Sequence, residues 1–212
     1  MIFRLDERML FPDPELAEDD GLLAVGGDLS IDRLLLAYQN GIFPWYSEDE
    51  PILWFSPHER FVLYPEELKI SKSMHRVLNS GTFTVTTNQC FEKVIAACSQ
   101  MERNGQDGTW ITAGMQAAYI ELHHKGYAHS VEVWQDDNLV GGLYGVRVGH
   151  VFCGESMFSK VSNASKTALI YLCNSGLYKL IDCQVYTAHL ASMGAKMISR
   201  GEYVFTLNNS SV

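Results

Sequence analysis

Apolar and polar positions follow two different periods along this chain, and the changes of period mark its elements. IDRLLLAYQN (31–40) has its apolar residues at helical spacing, with Ser30 placed to cap the start and Gly41 to end it. FEKVIAACSQM (91–101) and ASKTALIYLCN (164–174) predict two more helices, the second with apolar residues at 168, 169 and 172. Thr112 heads a helix that runs to Gly126, and a short basic helix spans about Ser71–Leu78. FTVTTN (83–88) predicts a strand. SVEVWQ (130–135), LVGGLYGVRV (139–148) and HVFCGESMF (150–158) predict a three-stranded meander, its first turn at QDDN. LIDCQVY (180–186) then predicts a strand, HLASMGAKM (189–197) a helix and EYVFTL (202–207) a last strand. Asn104-Gly105 and Asp107-Gly108 mark a loop.

The beginning of the chain is organised differently. FPDPELAEDDGLLAVGGDLS packs two prolines and three glycines into twenty residues, and aromatics alternate with prolines in GIFPWYSEDEPILWFSPHERFVLYP. Residues 1–64 therefore predict a small N-terminal α+β domain, and residues 65–212 a second domain with a mixed β-sheet. The fold class is α+β.

Composition narrows the picture. With 47% hydrophobic and 19% charged residues among 212, the chain has the means to bury a core and lacks the signature of disorder. No apolar run approaches the roughly 20 residues of a membrane span. MIFRLDERMLF has no apolar h-region and does not read as a signal peptide. Five cysteines without a CxxC pair argue against a disulfide framework and a zinc ribbon. The expectation is a soluble, cytoplasmic protein without metal or cofactor, and a monomer, since no heptad is present. The net charge of -9 arises in residues 1–65, which hold 4 Lys/Arg against 13 Asp/Glu; the remainder holds 12 of each. A nucleic-acid partner thus requires a local patch, because the overall field is not basic.

Five groups of residues are candidates for chemistry. On a strand, Asp182 and Gln184 of IDCQ share one face, which fits either a hydrogen-bonded edge or a polar site. Glu155 in GESMFS is either a solvated loop carboxylate or a buried one that needs a partner. Trp45 and Trp110 sit in turn-rich loops, where they are core residues or stacking platforms for nucleobases. Lys69, Lys72 and Arg76, with the spacing of one helical face, form a solvated surface or a phosphate patch. His123 and His124 suit a helix C-terminus. Cys153 and Cys183 read as core thiols. HExxH, P-loop and GxSxG motifs are absent.

Taken together, GLLAVGGDLS, LLLAYQNGIFPWYS, PILWFSP, GTWIT, GYAHSVEVW, LVGGLYGV, FCGESMFS, NASKTAL and LIDCQV resemble the bacterial leucyl/phenylalanyl-tRNA–protein transferase family. The resemblance runs in order from about Phe11 to Gly194. It implies an acetyltransferase-like fold for the second domain. The implied activity is transfer of Leu or Phe, and Met less well, from aminoacyl-tRNA to the α-amine of proteins beginning with Arg or Lys. The product is a destabilising N-terminus in the bacterial N-end rule degradation pathway.

Carried over residue by residue, the resemblance implies that Gln184 receives the amine, Asp182 polarises Gln184, and Glu155 belongs to the same catalytic site. An aminoacyl pocket is implied at Leu143, Phe152, Met157, Leu169, Leu172 and Ile181. Trp45 and Trp110 are implied to stack the terminal adenosine, and Lys69, Lys72 and Arg76 to meet the tRNA. Leu143, Leu172 and Thr187 stand where the family pattern leads one to expect Met, Phe and Asn. Asp182→Ala is expected to cut transfer strongly and to leave the thermal midpoint nearly unchanged. Two alternatives remain: an acyl-CoA-dependent N-acyltransferase, and a non-catalytic module that binds tRNA ends or basic N-termini. The first lacks a glycine-rich pyrophosphate loop in FSKVSNASKT; the second would not need the carboxylate–amide pair.

Overall fold

The computed structural model describes residues 2–101 and 110–209, so the loop at Asn104-Gly105 and Asp107-Gly108 lies outside the described residues. In chain order the elements are β1 (Phe3–Leu5), β2 (Leu22–Gly26), α1 (Ile31–Gln39), β3 (Phe43–Pro44), β4 (Leu53–Phe55) and β5 (Glu59–Leu63). They continue with α2 (Lys72–Asn79), β6 (Thr84–Thr87), α3 (Phe91–Ser99), α4 (Ala113–His124), β7 (Ala128–Gln135), β8 (Asn138–Val148) and β9 (Val151–Ser159). The last are α5 (Ala164–Asn174), β10 (Leu180–Gln184), α6 (Ala188–Ser192), β11 (Lys196–Ser199) and α7 (Arg200–Asn208).

The strands form two sheets. The small one has the order β1-β2-β4-β3, and the large mixed one β11-β5-β10-β9-β8-β7-β6. Within the large sheet, β9 and β10 run parallel and the other neighbours are antiparallel. This is the mixed α+β architecture expected from the sequence. Strand β5 precedes the expected boundary at Tyr64-Pro65, yet it lies inside the large sheet between β10 and β11.

Alternation along the meander divides the core. Tyr144, Val146, Cys153 and Phe158 face one way, toward α1, α3, α4 and α7, and pack with Leu23, Ala24 and Trp54 of the small sheet. Leu143, Phe152 and Ile181 face the other way, toward α2 and α5. Trp54 is fully buried and its Nε1 donates to the Gly26 carbonyl at 2.8 Å, so its large ring is buried with its polar atom satisfied. Helix α5 lies close on the sheet because Gly141 stands beneath it; a Cβ there would be 2.5 Å from that of Ala164. Among the described residues no helix is long and apolar enough to cross a membrane.

The chain after residue 188 corrects the sequence reading. The helix expected over 189–197 ends at Ser192, because Gly194 adopts φ +107° against the Glu67 carbonyl. Residues 196–199 then form a strand. The strand expected over 202–207 is part of helix α7: Ser199 Oγ accepts from Glu202 N at 3.2 Å, and Tyr203 and Leu207 are buried at i, i+4 while Phe205 is exposed. The aromatic and β-branched residues of EYVFTL suggested a strand, but the Ser-x-x-Glu cap spacing and the helical spacing of the buried pair prevail.

Candidate active site

Two bulges on neighbouring strands open the sheet at one point. Tyr144 pairs with Ser156 and Gly145 with Gly154, which leaves Glu155 as the extra residue of β9. Against β5, Asp182 pairs with Val62 and Gln184 with Phe61, which leaves Cys183 as the extra residue of β10. Between β9 and β10 themselves the last register pair is Cys153–Asp182. Bulges bend strands and re-aim side chains, and here they do so just where Glu155 and Gln184 stand.

Asp182 is fully buried and saturated. Arg60 Nε lies 3.0 Å from its Oδ1 and Nη2 2.8 Å from its Oδ2, Tyr203 donates to Oδ2 at 2.8 Å, and the Gln184 backbone N donates to Oδ1 at 2.9 Å. The guanidinium also donates to the Gly41 carbonyl at 3.0 Å and lies 4.6 Å from the ring centroids of Phe43 and Tyr203. Burial opposes the charge of Arg60, but the Asp182 carboxylate outweighs it and holds the guanidinium above its usual range. Gln184 has φ +62°, a left-handed conformation that costs an L residue about 1–2 kcal/mol. The bond from its N–H to the Asp182 carboxylate holds that turn in place.

Glu155, 6% exposed, has a different set of partners. Its Oε1 accepts from Gln184 Nε2 at 2.8 Å and its Oε2 from the Tyr119 hydroxyl at 3.0 Å, and the Tyr38 hydroxyl bonds that of Tyr119. Burial raises its carboxyl to about 7, while the hydroxyls of Tyr38 and Tyr119 and the Gln184 amide pull it down and nearby Asp182 pushes it up. Burial also holds both phenols well above their ordinary range, so both remain protonated donors. The amide of Gln184 is thus tied to Glu155, and Asp182 meets Gln184 at the backbone.

Two cavities adjoin this pair. One, of about 330 Å³, is lined by all six residues expected for the aminoacyl pocket: Leu143, Phe152, Met157, Leu169, Leu172 and Ile181. The other, of about 440 Å³, is lined by Phe43, Pro44, Trp45 and Trp110, together with Gln184, Val185 and Tyr186. Glu155, Cys183 and Thr187 line both. Cys153 is buried and burial pushes its thiol up, as it does for Cys183, so neither is a ready thiolate.

The basic residues are elsewhere. Lys72 and Arg76 are exposed on α2, but Lys69 precedes the Ser71 cap and its backbone N is bound to the Met193 carbonyl. The common helical face expected from their spacing therefore holds only for Lys72 and Arg76, and none of the three lines either cavity. Sequence reasoning missed Arg60, Tyr203, Tyr119 and Tyr38. For Arg60 a signal existed: it alternates with Phe61 in HERFVLY and so shares a strand face with buried Val62. The three tyrosines occupy ordinary helical core positions, and spacing does not distinguish them from packing residues.

Comparison with known proteins agrees in extent with this architecture. The family model described as leucyl/phenylalanyl-tRNA protein transferase matches residues 62–208, and that of the N-terminal domain of the same protein matches residues 27–58. A leucyl/phenylalanyl-tRNA–protein transferase of Flavobacterium johnsoniae is 55% identical over 211 residues, covering 98% of this chain and all of the relative. One from Syntrophobacter fumaroxidans is 57% identical over 209 residues, covering 97% of this chain and 89% of the relative. The crystal structure of FemX superposes with a TM-score of 0.52 at 10% identity, over 84% of this chain and 70% of that one, which is a likeness of fold alone.

Proposed function

We propose a specific reaction for this chain, which belongs to the leucyl/phenylalanyl-tRNA–protein transferase family and is an aminoacyltransferase. Leucine or phenylalanine, and methionine less well, passes from aminoacyl-tRNA to the α-amine of proteins whose first residue is Arg or Lys. The product enters N-end rule degradation.

The observation that carries this reading is the Glu155–Gln184 pair, which stands between an apolar cavity and an aromatic one. The donor's side chain occupies the apolar cavity, and its terminal adenosine stacks on Trp45 and Trp110. The scissile ester then lies beside Glu155 and Gln184. The ester is already activated, so the protein's task is to hold the amine within attacking distance and to stabilise the tetrahedral oxyanion. With Nε2 committed to Glu155, Gln184 Oε1 is the group that accepts a hydrogen bond from the amine. Asp182 fixes the bulge that presents Gln184, and the Glu155 anion attracts an acceptor that carries both an α-ammonium and a basic side chain. An apolar pocket separates side chains that differ by one methylene by only about 1–3 kcal/mol, which is why methionine is tolerated. Lys72 and Arg76 meet the tRNA body, with Lys69 beside them.

Radiolabelled Leu-tRNA offered with two peptides, one beginning with Arg and one with Ala, tests the reading. Label on the Arg peptide alone supports it. Retained tRNA binding with label on neither peptide contradicts it in favour of a binding module.

A further inference from the structure

The two phenols behind Glu155, Tyr119 and Tyr38, have no part in the reaction as described so far. They form a row of hydroxyls reaching from two helices to one carboxylate at the junction of both cavities. We propose that Glu155 takes the proton from the acceptor's α-ammonium, and that Tyr119, backed by Tyr38, is the positioning residue that keeps the carboxylate ionised and aimed for that transfer. The inference rests on the transferase reading and adds the route of the proton.

The geometry separates the candidates for proton acceptor. Asp182 is closed to substrate by the Arg60 guanidinium, the Tyr203 hydroxyl and the Gln184 N–H. The Gln184 amide oxygen accepts hydrogen bonds but not protons at neutral pH. Glu155 has one donor on each oxygen and a second lone pair on each, and it lines both cavities. The charged and titratable groups around it are Tyr38 on α1, Tyr119 on α4, Tyr144 on β8 behind the Tyr119 ring, Cys153 on β9 and Asp182 on β10. Arg60 faces Asp182.

The matching of acid and base favours the step. A free α-ammonium has a pKa of about 7.7–8.0. Against a carboxyl near 7 the transfer is uphill by about tenfold, whereas against an ordinary carboxyl it is uphill by more than a thousandfold. The atoms balance as follows. An ammonium N–H bond breaks and its proton joins a Glu155 oxygen. The freed nitrogen pair forms the C–N bond to the ester carbonyl carbon, and the C=O π pair moves to oxygen. That pair then returns and the C–O bond to the ribose breaks. The ribose oxygen takes a second proton from the nitrogen, and Glu155 gives the first to water.

The test is the pH profile of single-turnover Leu transfer from Leu-tRNA to an Arg-initial peptide, measured from pH 5.5 to 9 on the whole protein. The wild type is expected to lose rate on acidification through about pH 7. Tyr119→Phe removes a donor that favours the carboxylate and should move that limb upward by roughly one unit. Tyr38→Phe, which deletes the other phenol that favours the carboxylate, should move it in the same direction. Glu155→Gln should replace that limb by the acceptor amine's own, at about 7.7–8.0, and lower the plateau about a hundredfold or more. Equal loss at every pH in Tyr119→Phe, with the midpoint unmoved, would make that tyrosine merely structural and overturn the proposal. So would a limb that stays near pH 7 in Glu155→Gln. Absence of transfer by the wild type would instead count against the transferase reading itself.

Discussion

Asp182 and Glu155 are both buried carboxylates, on adjacent strands and on the same side of the sheet, yet their surroundings give them opposite characters. Asp182 has a guanidinium in two-point contact, a phenol and a backbone N–H. Glu155 has only neutral donors, a phenol and an amide. A fixed cation in two-point contact ties the first into the architecture. Without one, burial leaves the second near the midpoint of its titration at neutral pH. The lesson is that burial alone does not assign a carboxylate its role; the charge of its partner does.

The largest effect should come from breaking the charge pair. Arg60→Ala leaves Asp182 buried and unpaired and is expected to destabilise the fold by about 3–5 kcal/mol, measured by urea unfolding. Asp182→Ala strands the Arg60 cation in the same way, so both stability and transfer should fall. This corrects the expectation from sequence that the thermal midpoint would be nearly unchanged.

Next is the pH dependence of stability. The Glu155 carboxyl is raised from 4.5 to about 7 in the folded state, so the fold binds a proton that the unfolded chain has already released. Its stabilising contribution is complete below pH 4.5 and is lost as pH rises through 7, which amounts to roughly 2–4 kcal/mol. Glu155→Gln should remove that loss and be more stable than the wild type at pH 8, as thermal melts at pH 4.5, 6 and 8 would read.

Trp110→Ala should raise the KM for a minimal aminoacyl-adenosine donor by roughly tenfold or more, the effect of one lost stacking platform; an unchanged KM would remove Trp110 from the adenine site. The smallest effect belongs to α2. Lys72→Ala should lower the salt dependence of full-length aminoacyl-tRNA use by about one phosphate contact and leave the minimal donor untouched.

Much of this site could be read from the sequence, and what could not has a physical cause. The six apolar pocket residues come together because the pleat of β8 and β10, the helical spacing of α5 and the extra residue Glu155, which brings Met157 to the face of Phe152 on β9, direct them to one space. Asp182, Gln184 and Glu155 stand out as polar residues in apolar strands. The Arg60–Asp182 pair joins positions 122 residues apart, and no local pattern encodes such a contact. The bulges escape for another reason: period two predicts a straight strand, and one unpaired residue each in β9 and β10 turns that strand into a site. Helix α7 was hidden by composition, although the cap spacing from Ser199 to Glu202 was there to be read.

The division of labour between the two carboxylates is most directly tested by carbon-13 NMR titration of the side-chain carboxyls in protein labelled at Asp and Glu. The account predicts one glutamate resonance that titrates near pH 7 and is missing from Glu155→Gln. A protein in which every glutamate has titrated by pH 5 would contradict it.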